Sequence, residues 1–373
     1  MNNDPRLYAI ALTLTPGLGS ISLRKLLDIY PDPAEIFALP MTKLRELFGS
    51  HIDIAEAIHN KSMMQRSQEE IDFVDRYHIQ VLFRTDDNFP RRLNSSCCTD
   101  APVLLYQHGN CDLNATRTLA VVGSRKATVH GKEMTHRIVE GLRDKSVCVV
   151  SGLAYGIDTA AHTAALDCEL PTVAVLGHGL DRIYPYQNRG LAQRIIEHGG
   201  ALLTEYTAHT PISAGNFPAR NRIIAALGDG TLVVEAARKG GALITAAIAG
   251  SYNREVMAVP GRPTDTYSEG CNSLIVDRRA SIVRNADDVA DVMGWPRSET
   301  TSSGVQQEMF VQLSKEEQRI VDLLVDRDVM LLDDLAVACG QTLPRMAATL
   351  LEMELRGLVQ ALPGGRYQTL HKK

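Results

Sequence analysis

The sequence predicts an α/β fold: a Rossmann-like parallel sheet core with a small helical N-terminal domain and a C-terminal winged helix. Three observations predict it. From Thr118 onward, apolar strand patterns alternate with helical patterns, which is typical of a parallel sheet covered by helices on both faces. The segment 1–66 has only helical apolar spacing, and the segment 309–373 combines three helical patterns with a strand pair.

Residues 1–66 form the predicted helical domain, of the helix-hairpin-helix or SAM-like type. In RLYAIALTL and TKLRELFG the apolar residues recur about every 3.6 residues, as on one face of a helix. TPGLGS separates RLYAIALTL from the next helical pattern. LTPGLGSISLRKLLDIY resembles a helix-hairpin-helix element, whose glycine-rich turn offers backbone amides to DNA phosphates. A tight connection between two helices explains the same residues equally well, so both interpretations stay open.

Residues 67–294 form the predicted Rossmann-like domain. HIQVLFRTD and PVLLYQHGN predict two strands before the regular alternation begins. Six apolar strand patterns then follow, each joined to the next by a helical pattern: TLAVVG, VCVVSG, TVAVLG, ALLTEY, TLVVEA and REVMAVPG. Strands connected in this way lie parallel in one sheet.

Residues 295–308, WPRSETTSSGVQQE, are polar and without periodic pattern, which is typical of a linker. Residues 309–373 contain three helical patterns followed by VQALPGGRYQTL, two strands around Pro-Gly-Gly, so a winged helix is predicted there. Its candidate recognition helix carries nearly balanced charge, from Arg345, Glu352, Glu354 and Arg356. Weak phosphate neutralisation favours a protein or dimer contact over strong duplex binding by this helix.

Composition narrows the class of protein. No uninterrupted apolar stretch reaches the length of a membrane span, and the first residues lack the pattern of a secretory signal. Seven cysteines without a CxxC spacing indicate reduced thiols, so a cytoplasmic location is predicted. The net charge of −5 argues against a surface that coats nucleic acid as a whole, although it permits one basic cleft.

Small and cationic residues follow the predicted strands, where ligands bind in doubly wound sheets. Two arginines also stand at the start of the helix in FPARNRIIAALGD, where the helix dipole disfavours cations unless an anion shares the site. Glycines and hydroxyls allow close approach to backbone amides, and arginine and lysine donate to phosphate. The residues of this predicted phosphate crevice include Gly123, Ser124, Arg125, Ser151, Gly152, Arg220, Arg222, Lys239, Gly240 and Gly241.

Several polar residues near these strand ends have two interpretations. Asp158 and His162 stand four residues apart on one helix face, which suits proton transfer or metal binding, whereas an internal hydrogen bond explains them more simply. Glu205 and Glu235 are either catalytic carboxylates or ion-pair partners of the arginines. No dinucleotide fingerprint, P-loop or zinc spacing is present, so neither a cofactor nor a metal is predicted.

Six ordered segments resemble the DNA-processing protein A (DprA/Smf) family: VVGSR, SGLAYGIDTAAHTAAL, YPYQNRGL, TEYTAHTPISAGNFPARNRIIAAL, VVEA and ALITAAIA. The match runs from about residue 85 to 285, and the flanking segments fit the family's helical and winged-helix modules. The resemblance implies a cytoplasmic protein that binds single-stranded DNA and loads the RecA recombinase during natural transformation. It also implies a homodimer formed through the Rossmann-like domain, without established catalytic activity.

Carried over by position, the resemblance implies DNA contacts at the residues of the glycine-serine-arginine turn, the FPARNR segment and the lysine-glycine turn: Gly123, Ser124, Arg125, Phe217, Arg220, Asn221, Arg222, Lys239, Gly240 and Gly241. A phenylalanine can support an unstacked base. Three departures from the family pattern concern single contacts: Lys239-Gly240-Gly241-Ala242 lacks two hydroxyls, His178 replaces a frequent cysteine, and Arg278-Arg279-Ala280 replaces Gly-Ala.

Two functional hypotheses follow. The first is a non-enzymatic mediator that binds single-stranded DNA. The second is a Rossmann-like nucleotide or phosphoribosyl hydrolase that uses Glu205 or Glu235, although PGRPTDTYSEG and RKGGALITA lack the PGGxGT signature of such hydrolases. Release of free base from nucleoside monophosphates discriminates between them.

Overall fold

The computed structural model describes residues 4–296 and 313–370. Six helices open the described chain: α1 (Pro5–Leu14), α2 (Ser20–Ile29), α3 (Pro33–Ala38), α4 (Met41–Phe48), α5 (Ile52–His59) and α6 (Met64–Arg76). Aspartate caps fix the first turns of α1 and α3, because the Asp4 and Asp32 carboxylates accept hydrogen bonds from backbone amides there. The predicted boundary at 66/67 falls inside α6.

The central sheet has nine strands in the described residues: β1 (Gln80–Phe83), β2 (Leu104–Gly109), β3 (Thr118–Val122), β4 (Cys148–Ser151), β5 (Thr172–Val175), β6 (Ala201–Thr204), β7 (Gly230–Val233), β8 (Glu255–Ala258) and β9 (Ser281–Ile282). Their spatial order is β1-β2-β6-β5-β4-β3-β7-β8-β9. Strands β3 to β9 are parallel, whereas β1 and β2 pair antiparallel at one edge. The order reverses between β3 and β7, which makes that point the expected ligand crevice.

Helices cover both faces of this sheet, as the alternating pattern predicts. They are α7 (Val129–Glu140), α8 (Ile157–Asp167), α9 (Arg189–Glu197), α10 (Asn216–Leu227), α11 (Gly241–Ser251), α12 (Glu269–Val276) and α13 (Ala286–Met293). One core packs α10 and α11 against the sheet through residues such as Ile224 and Ala246, and the other packs α7, α8 and α13 through Ile138 and Met293. The Rossmann-like prediction is therefore confirmed.

The C-terminal unit is a winged helix, as predicted. It consists of α14 (Lys315–Arg327), β10 (Val329–Leu331), α15 (Leu332–Cys339), α16 (Leu343–Leu355), β11 (Val359–Leu362) and β12 (Arg366–Thr369), with its strands in the order β10-β12-β11. A capping box between Ser314 and Glu317 starts α14. Ile320, Leu335 and Leu350 belong to its own buried core.

Most of the predicted linker at 295–308 lies outside the described residues. Its first residue, Trp295, is buried in the core beneath α13, so the chain is still part of the sheet domain at that position. The domain boundaries stay predictions. Within the described residues, no helix is both long and apolar enough to cross a membrane.

The wing between β11 and β12 lies against the amino ends of the central strands. Arg366 Nη1 lies 3.1 Å from Asp229 Oδ2 and donates to the Thr116 carbonyl at 2.8 Å. Arg254 Nη1 donates to the Gly364 carbonyl at 3.3 Å. Asp229 precedes β7 and Thr116 precedes β3, so the winged helix contacts the sheet at the edge opposite to the carboxyl ends of its parallel strands.

Candidate nucleic-acid interface

A cavity of about 400 Å³ opens at the carboxyl ends of β3 and β7, between the first turns of α8, α10 and α11. We call it the strand-end cleft. Nine of the twelve predicted site residues line it: Gly123, Ser124, Arg125, Phe217, Arg220, Asn221, Lys239, Gly240 and Gly241. Ser151, Gly152 and Arg222 are not among its lining residues. The structure thus brings most of the predicted set together at the point where the strand order reverses.

The glycines in and beneath the cleft have two different roles. A Cβ at Gly123 would lie 2.5 Å from Ile157 Cγ1, and one at Gly152 would lie 2.6 Å from Arg220 Nη2. These two glycines therefore permit close packing beneath the cleft. Gly240 has no neighbouring atom within 4 Å of a Cβ position, and the nearest atom to one at Gly241 is 3.9 Å away. The start of α11 is consequently open to a ligand.

Arg220 forms the floor of the cleft. Its side chain is only 3% exposed, and Nη1 donates to the Gly152 carbonyl at 2.7 Å and to the Val175 carbonyl. Burial lowers the pKa of its guanidinium to about 10, although the nearby Asp158 carboxylate acts in the opposite direction. Arg220 therefore holds two strand ends together, and its geometry favours a supporting role over direct phosphate contact.

Arg222 lies outside the cleft and pairs with Glu205. The two side chains are 13% and 15% exposed, and burial raises the pKa of Glu205 while the arginine opposes that rise. Residues two apart on a helix do not face the same way, and Arg220 and Arg222 have different partners in the structure. This arrangement does not match the expectation that both arginines face the same polyanion. For Arg222 it matches the alternative, in which a carboxylate is the partner.

Asp158 and His162 are both buried beside Arg220. His162 Nδ1 lies 2.7 Å from Thr172 Oγ1, and the Ala154 amide donates to Asp158 at 3.3 Å. Burial raises the pKa of Asp158, against the opposing charge of Arg220. Because each side chain has its own internal partner, the pair is part of the cleft's support. No group of three or more metal-ligating side chains occurs within the described residues.

His162 gives the fold a specific pH dependence. Burial, and secondarily the charge of Arg220, lowers the pKa of His162 to about 3. The unfolded chain takes up this proton below about pH 6.5 and the folded chain does not, so stability present at pH 7 is lost as the pH falls. We expect His162 to contribute about 2 kcal/mol of the loss between pH 7 and pH 5. Denaturant unfolding of the parent protein and of His162→Gln at both pH values measures this contribution. An equal loss of stability in the two proteins would contradict the prediction.

Glu235 is held at the start of α7. The Thr128 amide donates to it at 2.9 Å, the Thr128 hydroxyl donates to its other oxygen, and the side chain is buried. A carboxylate at a helix N-terminus is stabilised by the helix dipole. Glu205 and Glu235 thus both have structural partners, so neither is placed as a free catalytic carboxylate.

Unpaired cations lie on the rim of the cleft. Arg125, Lys126 and Lys239 are exposed, and no salt bridge joins them to any acidic side chain of the described residues. The Arg125 guanidinium lies 5.4 Å from the centre of the Phe217 ring, and the Tyr184 ring lies 5.6 Å from the same ring. Lys126 was missed in the sequence, although it directly follows the predicted Gly-Ser-Arg turn.

The sequence matches two family models. The DNA recombination-mediator protein A model covers residues 80–294, more than half of the chain, and the DprA winged helix domain model covers residues 311–365. The DNA processing protein DprA of Streptococcus pneumoniae is 44% identical over 250 residues, which are 65% of this chain and 86% of that protein. Protein Smf of Escherichia coli is 37% identical over 274 residues, 72% of each chain.

Solved structures agree with these matches. The X-ray structure of DNA processing protein A from Streptococcus pneumoniae superposes with a TM-score of 0.65 at 34% identity, covering 76% of this chain and 97% of that one. A structure describing the single-stranded DNA binding mode of DNA processing protein A from Helicobacter pylori has a TM-score of 0.52 at 28% identity, covering 58% and 95%. The chain belongs to the DNA recombination-mediator protein A (DprA/Smf) family.

Proposed function

We propose that this chain binds single-stranded DNA in the strand-end cleft and acts in the cytoplasm as a mediator that loads the RecA recombinase on DNA taken up during natural transformation. One observation carries the binding proposal: unpaired cations line the same cleft as a half-exposed phenylalanine, at the switch point of the sheet. The single-stranded DNA binding mode described for the Helicobacter pylori relative supports it. Loading of RecA rests on membership of the family.

The contacts follow from the chemistry of the cleft. A base stacks on Phe217, which is half-buried and stands beside Arg125. The phosphates meet Arg125, Lys126 and Lys239, and the open backbone of Gly240 and Gly241 approaches the same groups. Gly123, Ser124 and Asn221 complete the surface, whereas Ser151, Gly152 and Arg220 hold its floor and Arg222 stays with Glu205.

We also propose a homodimer that forms at the β9 edge of the sheet. Among the strands that the structure describes, β9 pairs with β8 alone, and Ile282 on it is half exposed. Val276, at the end of α12, is 79% exposed. An open strand edge beside apolar side chains is a surface that a second copy can cover. Light scattering of the chain and of Val276→Glu tests it, and a monomeric parent protein would refute it.

The second candidate function is a hydrolase, and it depends on Glu205 or Glu235 acting as the catalytic carboxylate. The geometry does not favour this function. Glu205 is paired with Arg222, and Glu235 is held by Thr128 at the start of a helix. The experiment is incubation of the protein at high concentration with nucleoside monophosphates. Released free base would support the hydrolase; with none, binding is the remaining function.

We expect a clear preference for single-stranded over duplex DNA, without strong base preference. The cleft offers phosphate donors and a stacking ring, and both kinds of contact are available to any base of a flexible single strand. Fluorescence anisotropy with single strands and blunt duplexes of equal length, across a salt series, measures the preference. Equal affinity for both would count against the proposal.

Removing a rim cation and removing the ring will weaken binding in different ways. Arg125→Ala should lower the slope of log affinity against log salt by about 0.7, because one phosphate contact is lost. Phe217→Ala should cost about 1–3 kcal/mol of binding with little change in slope, because stacking is not ionic. Anisotropy at several salt concentrations separates the two. Identical slope changes in both variants would show that Phe217 does not stack on a base.

A further inference from the structure

A second groove adjoins the strand-end cleft along the same edge of the sheet. This cavity of about 900 Å³ lies beyond β7 and β8, and Tyr267 lines both it and the cleft. Its other walls include Thr128 and His130 at the start of α7, and Arg262 and Thr264 on the loop after β8. Tyr267 therefore forms the ridge between two neighbouring cavities.

The loop that carries this ridge is fixed at both ends. Asn272 donates to the Gly261 carbonyl at 3.0 Å and accepts from the Gly261 amide at 3.1 Å. At the other end, the Ala236 amide donates to the Tyr267 carbonyl at 2.7 Å. A Cβ at Gly261 would lie 2.0 Å from Ser268 Oγ, so only glycine permits this close return of the loop. The groove wall is consequently held in place without a ligand.

The cation of the second groove that can meet a phosphate is Arg262, on the outer wall. Arg262 is exposed, and no salt bridge joins it to an acidic side chain of the described residues. Glu235 also lines the groove, but its carboxylate is turned to Thr128 and the start of α7. It occupies that helix N-terminus in place of an external anion, so phosphate would meet Arg262 and His130. Asp265 and Glu235 are the acidic side chains that oppose this attraction.

We propose that single-stranded DNA leaves the strand-end cleft across Tyr267 and continues through the second groove. Tyr267 is half-buried, with its backbone fixed, and it offers its ring as a second support for a base. Arg262 donates to a phosphate beyond that base. The inference rests on the proposed function, since it extends the path of the same ligand.

Oligonucleotide length is the variable that tests it. A thymidine trinucleotide bound in the cleft does not need the second groove, whereas a dodecanucleotide can occupy both. Tyr267→Ala should weaken binding of the dodecanucleotide about 5- to 150-fold. Because Arg262 lines the second groove and not the cleft, Arg262→Ala should leave binding of the trinucleotide unaffected. Arg262→Ala should lower the salt slope for the longer strand by about 0.7. Tyr267→Phe, which keeps the ring, should bind both lengths like the parent protein.

Arg45→Ala is the matched control, because Arg45 is also exposed, lies on α4 and lines neither cavity. Unchanged binding of both lengths by Tyr267→Ala and Arg262→Ala would overturn the inference and leave the cleft as the binding site. If the parent protein bound neither length, the proposed function itself would fail. Circular dichroism of each variant establishes that a lost affinity is not a lost fold.

Discussion

Arg220→Met will lower the free energy of unfolding by about 2–6 kcal/mol. Methionine keeps the length of the side chain but cannot donate to the buried carbonyls of Gly152 and Val175. Each buried acceptor that is left without a partner costs about 1–3 kcal/mol. The Asp158 carboxylate would also lose the opposing charge of Arg220, which lowers its pKa. Denaturant unfolding followed by circular dichroism measures the loss.

Arg125→Met is the control for this substitution. Arg125 lines the same cleft but is exposed, so its removal should change stability by no more than about 0.5 kcal/mol. Affinity for single-stranded DNA should fall in that variant. If instead Arg220→Met unfolded like the parent protein and had lost its affinity for DNA, Arg220 would be a phosphate ligand, as its place in the sequence suggests.

The sheet and the position of the cleft could be predicted from the sequence because both depend on local patterns. Apolar runs such as TLAVVG and TLVVEA identify buried parallel strands, and the residues after them must lie at one edge. Gly123, Arg125 and Lys239 are placed correctly at this edge for the same reason. The fold class alone determines that the residues after parallel strands lie at this edge, so the prediction did not depend on any side-chain contact.

The roles of the two arginines in α10 could not be predicted in this way. Their sequence positions place both near a helix N-terminus, but the direction of each side chain depends on the register of the helix against its neighbours. Arg220 turns beneath the cleft and Arg222 turns towards Glu205. Tyr267 was missed because it lies on a loop without a periodic pattern, and only the folded chain brings it beside Ala236.

The contacts between the winged helix and the sheet could not be predicted from the sequence pattern either. Arg366 stands in a short strand after Pro-Gly-Gly, where an arginine is ordinarily solvated. In the structure it is buried against Asp229, which also pairs with Arg92. Arg254 is buried beside them and donates to the Arg92 carbonyl. Such a cluster has no local signature, because its members are far apart in the sequence.

Asp229→Asn will lower the free energy of unfolding by about 3–5 kcal/mol. The Asp229 side chain is 0% exposed, and its carboxylate lies 2.6 Å from Arg92 Nε and 3.1 Å from Arg366 Nη1. Asparagine keeps the shape and one acceptor oxygen but removes the negative charge between these buried guanidinium groups. Removing one partner of a buried ion pair leaves uncompensated charge, which accounts for a loss of this size. Denaturant unfolding at neutral pH measures it.

Glu169→Gln is the matched control, because Glu169 also pairs with an arginine but on the surface. The side chains of Arg143 and Glu169 are 59% and 79% exposed, so solvent screens their attraction and the change should be no more than about 1 kcal/mol. If Asp229→Asn cost as little as Glu169→Gln, water would reach the arginines around Asp229. The wing would then not be held against the sheet in solution, and the winged helix would move independently of the strand-end cleft.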